Sequence, residues 1–114
     1  MRPGEVALVR FPFTEVAAAK KRPALVLART TRSPRHRLST VAMITSQVES
    51  LKLDGDVLLA DWKVAGLLHP SLLRLAKVAT VDEGLVDKTI GRLSARDLDA
   101  AREAFHRVFA TWVR

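Results

Sequence analysis

The sequence predicts a small, mainly β domain: a partly closed β-barrel with one α-helix packed on it at the C-terminal end. Three observations lead there. Short runs of β-branched and apolar residues recur up to Leu93, punctuated by proline, glycine and charged turns. Only the stretch after Ser94 carries a sustained helical period. The chain has 114 residues, 48% hydrophobic and 27% charged, which describes one folded domain spanning 1–114 with a real core.

The elements follow in order. Glu5–Phe11 is rich in β-formers and stops at Pro12, giving a first strand. Thr14–Lys21, with its run of alanines, is a loop. Pro23 opens a second strand, Ala24–Arg29, because proline is tolerated at a strand's first residue. Thr30–Leu38, with Ser33-Pro34 and several cations, is an exposed turn. Ser39–Thr45 is a third strand, and shorter ones are expected at Val57–Ala60, Leu72–Leu75, Val78–Val81 and Lys88–Leu93. Asp61–Gly66 reads as one helical turn, with Asp61 capping its start and Gly66 supplying a left-handed end. For the terminal helix, Ser94 is the N-cap and Asp97 puts a carboxylate in the positive first turn. Leu98, Ala101, Phe105, Val108 and Trp112 form its apolar stripe, expected to pack on the sheet.

Charge is distributed unevenly. Residues 1–50 hold nine Lys and Arg against three acids; residues 51–114 hold ten against nine. Between Lys20 and Arg37 there are seven cations and no acid. Such a one-sided field attracts polyanions and favours a nucleic-acid partner. There is no cysteine, so disulfides and thiolate metal sites are excluded. No segment approaches membrane-spanning length and no signal-peptide core is present, so a soluble cytoplasmic protein with no membrane partner is expected.

Few residues suit catalysis by the commoner routes. Glu49, Asp54, Asp56 and Asp61 lie beside turns or at element ends, where acids serve as caps, so no metal site or other cofactor is expected. His36, His69 and His106 have no spacing that brings two of them together as acid and base. "MITSQ", Met43–Gln47, ends a hydrophobic strand with three polar side chains. Those groups can close the strand end by hydroxyl–backbone hydrogen bonds, or hold a phosphate or base edge.

Taken together in order, "EVALVRFPFTE…KKRPALVL", "VAMITSQ", "GDVLLADWKVAGLLHPSLLRLAKVATVDEGLV" and "IGRLSARDL" resemble the MazF/PemK family of toxins from bacterial type II toxin–antitoxin systems. The likeness runs from about Pro3 to the terminal helix. It implies an SH3-like β-barrel with a C-terminal helix, usually a homodimer. It also implies a metal-independent, sequence-specific endoribonuclease that cuts single-stranded RNA, typically mRNA. The implied products carry 2′,3′-cyclic phosphate and 5′-hydroxyl ends, and a cognate antitoxin covers the site. An alternative use of the same fold is a non-catalytic toxin that binds a protein such as DNA gyrase.

The resemblance places the family's catalytic arginine at Arg22 and its catalytic threonine at Thr45. Lys20, Lys21, Ser46, Gln47 and Phe13 are expected to contact RNA. When the ribose 2′-OH attacks phosphorus, negative charge builds on the phosphate oxygens, and a planar guanidinium can donate two hydrogen bonds to them. Its high reference pKa makes electrostatic stabilisation the first role of Arg22 and proton transfer the second. Thr45 adds a neutral hydrogen bond. Arg74 falls in a regular strand-like run and is read as structural or associated with a dimer, and Arg29 as a strand-end charge.

Overall fold

The structure is a computed structural model that describes residues 1–10, 20–30, 33 and 35–112. Its strands are β1 Glu5–Arg10, β2 Lys21–Arg29, β3 Leu38–Thr45, β4 Asp56–Leu58, β5 Leu72–Asp82 and β6 Val86–Arg92, followed by helix α1, Ala95–Phe109. They form one six-stranded antiparallel sheet in the order β4-β5-β3-β2-β1-β6. The architecture is the mainly β fold with a terminal helix that the sequence predicts.

Both faces of the central strands are covered. Val6, Leu25, Ala42, Ile44 and Leu73 pack in one cluster with Ala101 and Ala104 of α1, while Ala7, Val9, Ala24, Val26 and Val41 form a second cluster. Neighbours in sequence alternate between the two, which is why "ALVL" and "VAMI" are continuously apolar instead of alternating with polar residues. Each fully buried Leu or Val in these rows contributes about 2 kcal/mol.

Four sequence expectations are corrected. Leu72–Leu75 and Val78–Val81 are one strand. Between them the register with β3 jumps from Ala42↔Val78 to Met43↔Arg74, a bulge that bends β5 so that its first half also pairs with β4. The strand containing Pro23 starts earlier, at Lys21. There β2 pairs with β1 alone, since pairing to β3 begins at Ala24, so the missing N–H costs no ladder bond on that open side.

The sheet closes only in part, as the sequence predicts: in the hydrogen-bonded ladder β4 and β6 both remain edges. Packing ties β6 instead to the Asp61–Gly66 turn that follows β4. Gly66, with φ +82°, lies so close to Ile90 of β6 that an added Cβ would collide with the Ile90 carbonyl, and Gly91 abuts Ala65 in the same way. Bare backbone thus meets bare backbone along a seam.

Finally, Asp61 does not cap its own turn. The turn itself forms, with Ala65 N donating to Asp61 O and Gly66 N to Lys63 O. Its leading N–H groups, of Ala60 and Asp61, instead donate to the buried Asp97 carboxylate at 2.9 and 2.8 Å. Asp61 accepts from Ser94 Oγ at 2.6 Å and from both sides of the Arg96 fork at 2.7 Å. Ser94 is the N-cap, its hydroxyl accepting from Asp97 N. The apolar stripe of α1 is seated incompletely: Ala101 and Ala104 are buried, but Phe105 is 39% and Trp112 86% exposed. Two small residues bring the helix onto the sheet closely, and the aromatic rings stay outside that contact.

Candidate active site

A groove of about 590 Å³ opens where β2 and β3 separate. The register explains it. Ala24 pairs with Met43, so continuing the ladder would set Pro23 against Ile44 and Arg22 against Thr45, yet no pairing is made there. Two residues far apart in sequence therefore stand opposite one another at an open sheet end. Thr45 is held from its other side by pairing with Leu72 of β5.

Lys20, Lys21, Arg22, Thr45, Ser46 and Gln47 all line this groove, as the sequence reading expects of a common site. Phe13 lies outside the described residues, as do Phe11 and most of the loop before Lys20. Sequence reasoning missed Lys88 and His69, which line the groove too. Lys88 arrives through the row Pro23↔Leu8↔Lys88 across β2, β1 and β6. His69 is carried in by the residues just before β5, whose Leu72 pairs with Thr45. The signal for His69 was the short His69-Pro70-Ser71 lead into a strand neighbouring Thr45. His106 lies apart from it, against the cavity between α1 and β2.

The electrostatics are one-sided. No Asp or Glu lines the groove among the described residues. Lys21 Nζ sits 3.0 Å from Asp87 Oδ2 on β6. The Lys21 ammonium holds the Asp87 carboxyl below its ordinary value, against the opposing effect of its desolvation. Arg22, Lys20 and Lys88 have no acidic partner among the described residues. Arg29, at the far end of β2, pairs with Glu83.

Thr45 Oγ1 accepts a hydrogen bond from Gln47 N at 3.1 Å. That closes the strand end, as one sequence reading of "MITSQ" expects, and leaves the hydroxyl proton available to donate. Trp62 packs against the core beneath Lys63 and offers no stacking platform in the groove. Among the described residues no three His, Asp or Glu side chains converge as a metal site, and no helix is long and apolar enough to cross a membrane.

A family model described as "PemK-like, MazF-like toxin of type II toxin-antitoxin system" matches residues 2–109. The chain belongs to this family. Among solved structures, it is 27% identical to toxin MazF-mt6 of Mycobacterium tuberculosis, over 93% of this chain and 96% of that one, with a TM-score of 0.71. An Mtb toxin is 31% identical over 79% of this chain and 94% of its own, with a TM-score of 0.63. The MazF of a MazE–MazF complex from Deinococcus radiodurans shares the fold at a TM-score of 0.70, with 16% identity and coverage of 96% and 94%. Among curated proteins none matches the chain. The open sheet with one terminal helix is thus the fold of PemK/MazF-like toxins.

Proposed function

We propose that this PemK/MazF-like toxin is an endoribonuclease that cleaves single-stranded RNA by attack of a ribose 2′-OH on the adjacent phosphorus. The bond from phosphorus to the departing 5′-oxygen breaks, giving a 2′,3′-cyclic phosphate and a 5′-hydroxyl. One observation carries the reading: Arg22, with no counter-charge among the described residues, lines one groove with Thr45 where the β2–β3 ladder stops, and among the described residues that groove holds cations and no acid. Arg22 stabilises the charge that develops on the non-bridging oxygens, and Thr45 donates its hydroxyl proton to the same phosphate. Lys20, Lys21 and Lys88 draw in the flanking phosphates, while Ser46 and Gln47 stand where base edges or sugar hydroxyls would lie. The nucleophile belongs to the substrate, so no activated water is required and DNA is not cut.

The family resemblance supports a homodimer, and MazE–MazF complexes of the same fold support a cognate antitoxin as the partner that covers the groove. The test is incubation of the purified protein with a defined single-stranded RNA and excess chelator, with product ends identified by sequencing and mass. Cleavage that requires a 2′-hydroxyl at the scissile position and is lost in Arg22→Ala supports the reading. Intact RNA, or equal cleavage by the variant, refutes it.

A further inference from the structure

Arg74 lies on β5, away from the groove lining, and only 7% of it is exposed. As a source of stability it is poorly arranged. Its Nη2 is 3.7 Å from Asp56 Oδ2, and Arg74 Nε and Asp56 Oδ1 are buried without partners among the described residues. A buried pair of this kind contributes little beyond the cost of desolvating it. The guanidinium nevertheless makes two definite donations into the loop after Thr45: one to Ser50 Oγ, the other to the Leu51 carbonyl at 2.8 Å.

From Ser50 the hydrogen bonds continue in one direction. Ser50 Oγ donates its single proton to the Gln47 carbonyl at 2.7 Å. The N–H on the far side of that peptide unit belongs to Val48 and donates to the Ser46 carbonyl at 2.9 Å. The N–H of that next peptide unit belongs to Gln47 and donates to Thr45 Oγ1 at 3.1 Å. Every member is a donor to the one after it, from a buried cation to a hydroxyl in the groove. Hydrogen bonds aligned head to tail polarise one another: a carbonyl that accepts makes its own N–H a stronger donor, and a hydroxyl oxygen that accepts makes its O–H a stronger donor.

We infer that Arg74 is a positioning residue that acts through Ser50 and the two peptide units flanking Gln47 to orient the Thr45 hydroxyl and strengthen its donation into the groove. The inference rests on the reading of Thr45 as a phosphate contact. It gives the buried arginine a role at the opposite end of a chain of four hydrogen bonds, without contact between Arg74 and the substrate.

Ser50→Ala cuts the chain while leaving the Leu51 and Asp56 contacts of Arg74 in place. It is expected to lower kcat for RNA cleavage about tenfold with KM unchanged, an orientation effect of modest size. Ser50→Thr, which keeps a hydroxyl, restores the rate. Arg74→Lys, which keeps the charge and loses the fork, shows the same loss as Ser50→Ala. Should it fail to fold, Ser50→Ala still decides the matter.

The discriminating arm repeats Ser50→Ala in a Thr45→Val background, where no further loss is expected. An equal loss in both backgrounds, in a wild type that cleaves RNA, overturns the inference and leaves the nuclease reading intact. A wild type that leaves RNA whole overturns the nuclease reading instead. The chain is then judged from amide proton shifts: upfield movement of Val48 and Gln47 in Ser50→Ala supports it, and unmoved signals refute it.

Discussion

The molecule holds two clusters of charged side chains that are built in opposite ways. At the start of α1, all four carboxylate oxygens of Asp61 and Asp97 are engaged, by Arg96, Ser94 and the backbone N–H groups of Ala60 and Asp61. In the groove, Arg22, Lys20 and Lys88 have no acidic partner among the described residues, and only Lys21 is matched, by Asp87. Satisfied charge ties the Asp61–Gly66 turn to the helix. Unsatisfied charge leaves a standing demand for an anion. The contrast separates the two uses of charge more sharply than composition does, since each cluster mixes similar residue types.

The largest break in the comparison comes from removing the central unmatched cation. Arg22→Ala is expected to slow RNA cleavage about 10²- to 10³-fold, the cost of losing one fixed donor at a developing oxyanion. The thermal midpoint should stay put, because no hydrogen bond or ion pair of that side chain is lost among the described residues. A variant that melts early and cleaves normally once folded would reverse the assignment of the two clusters.

Asp97→Ala attacks the satisfied cluster. Two backbone N–H groups lose their acceptor and the helix loses its first-turn carboxylate, so stability falls by about 2–4 kcal/mol in denaturant titrations. Cleavage per folded molecule should be unaffected. Asp87→Asn converts the one matched groove cation into an unmatched one. Binding of an uncleavable 2′-deoxy analogue should tighten by about two- to fivefold at low salt, and the gain should vanish as salt is raised. Weaker binding would show that Asp87 positions Lys21 and does not restrain it.

The smallest effect concerns pH. The Arg96 guanidinium first, and the Ser94 hydroxyl second, hold the Asp61 carboxyl well below the usual carboxylate range. A depressed folded value means that the contribution is complete above the unfolded carboxyl range, about pH 4, and is lost as pH falls toward the lower folded value. The difference in melting temperature between wild type and Asp61→Asn should therefore be level at neutral pH and shrink only below about pH 4. A difference that grows on acidification would contradict the pairing.

How much of this could be read without coordinates depends on whether the deciding interaction is local. The strands up to Thr45 and the helix behind Ser94 announce themselves through β-branched runs and a cap, which act within a few residues. Arg22 and Thr45 are legible together only through the family resemblance, and the structure lines one groove with both where the β2–β3 ladder stops at Ala24 and Met43. Lys88 reaches the groove only through cross-strand neighbours, which no single-strand pattern contains, and His69 through the residues leading into β5, whose Leu72 pairs with Thr45. Asp61 was misread because its own turn is a sufficient local explanation for an acid, whereas its partners lie 33 and 35 residues further along. The Trp112 stripe had the right period, but period cannot say where two alanines let a helix lean inward.

The seam between Gly66 and β6 also sets a dimension. Gly66 and Ile90 stand together in the wall of the groove, and their backbones touch because neither glycine of the seam, Gly66 or Gly91, carries a Cβ. The seat of that wall against the Asp61–Gly66 turn is thereby set by absent methyl groups. An alanine at either glycine would act as a shim, pushing β6 and its Lys88 outward, and the protein would present the same chemical groups around a wider mouth.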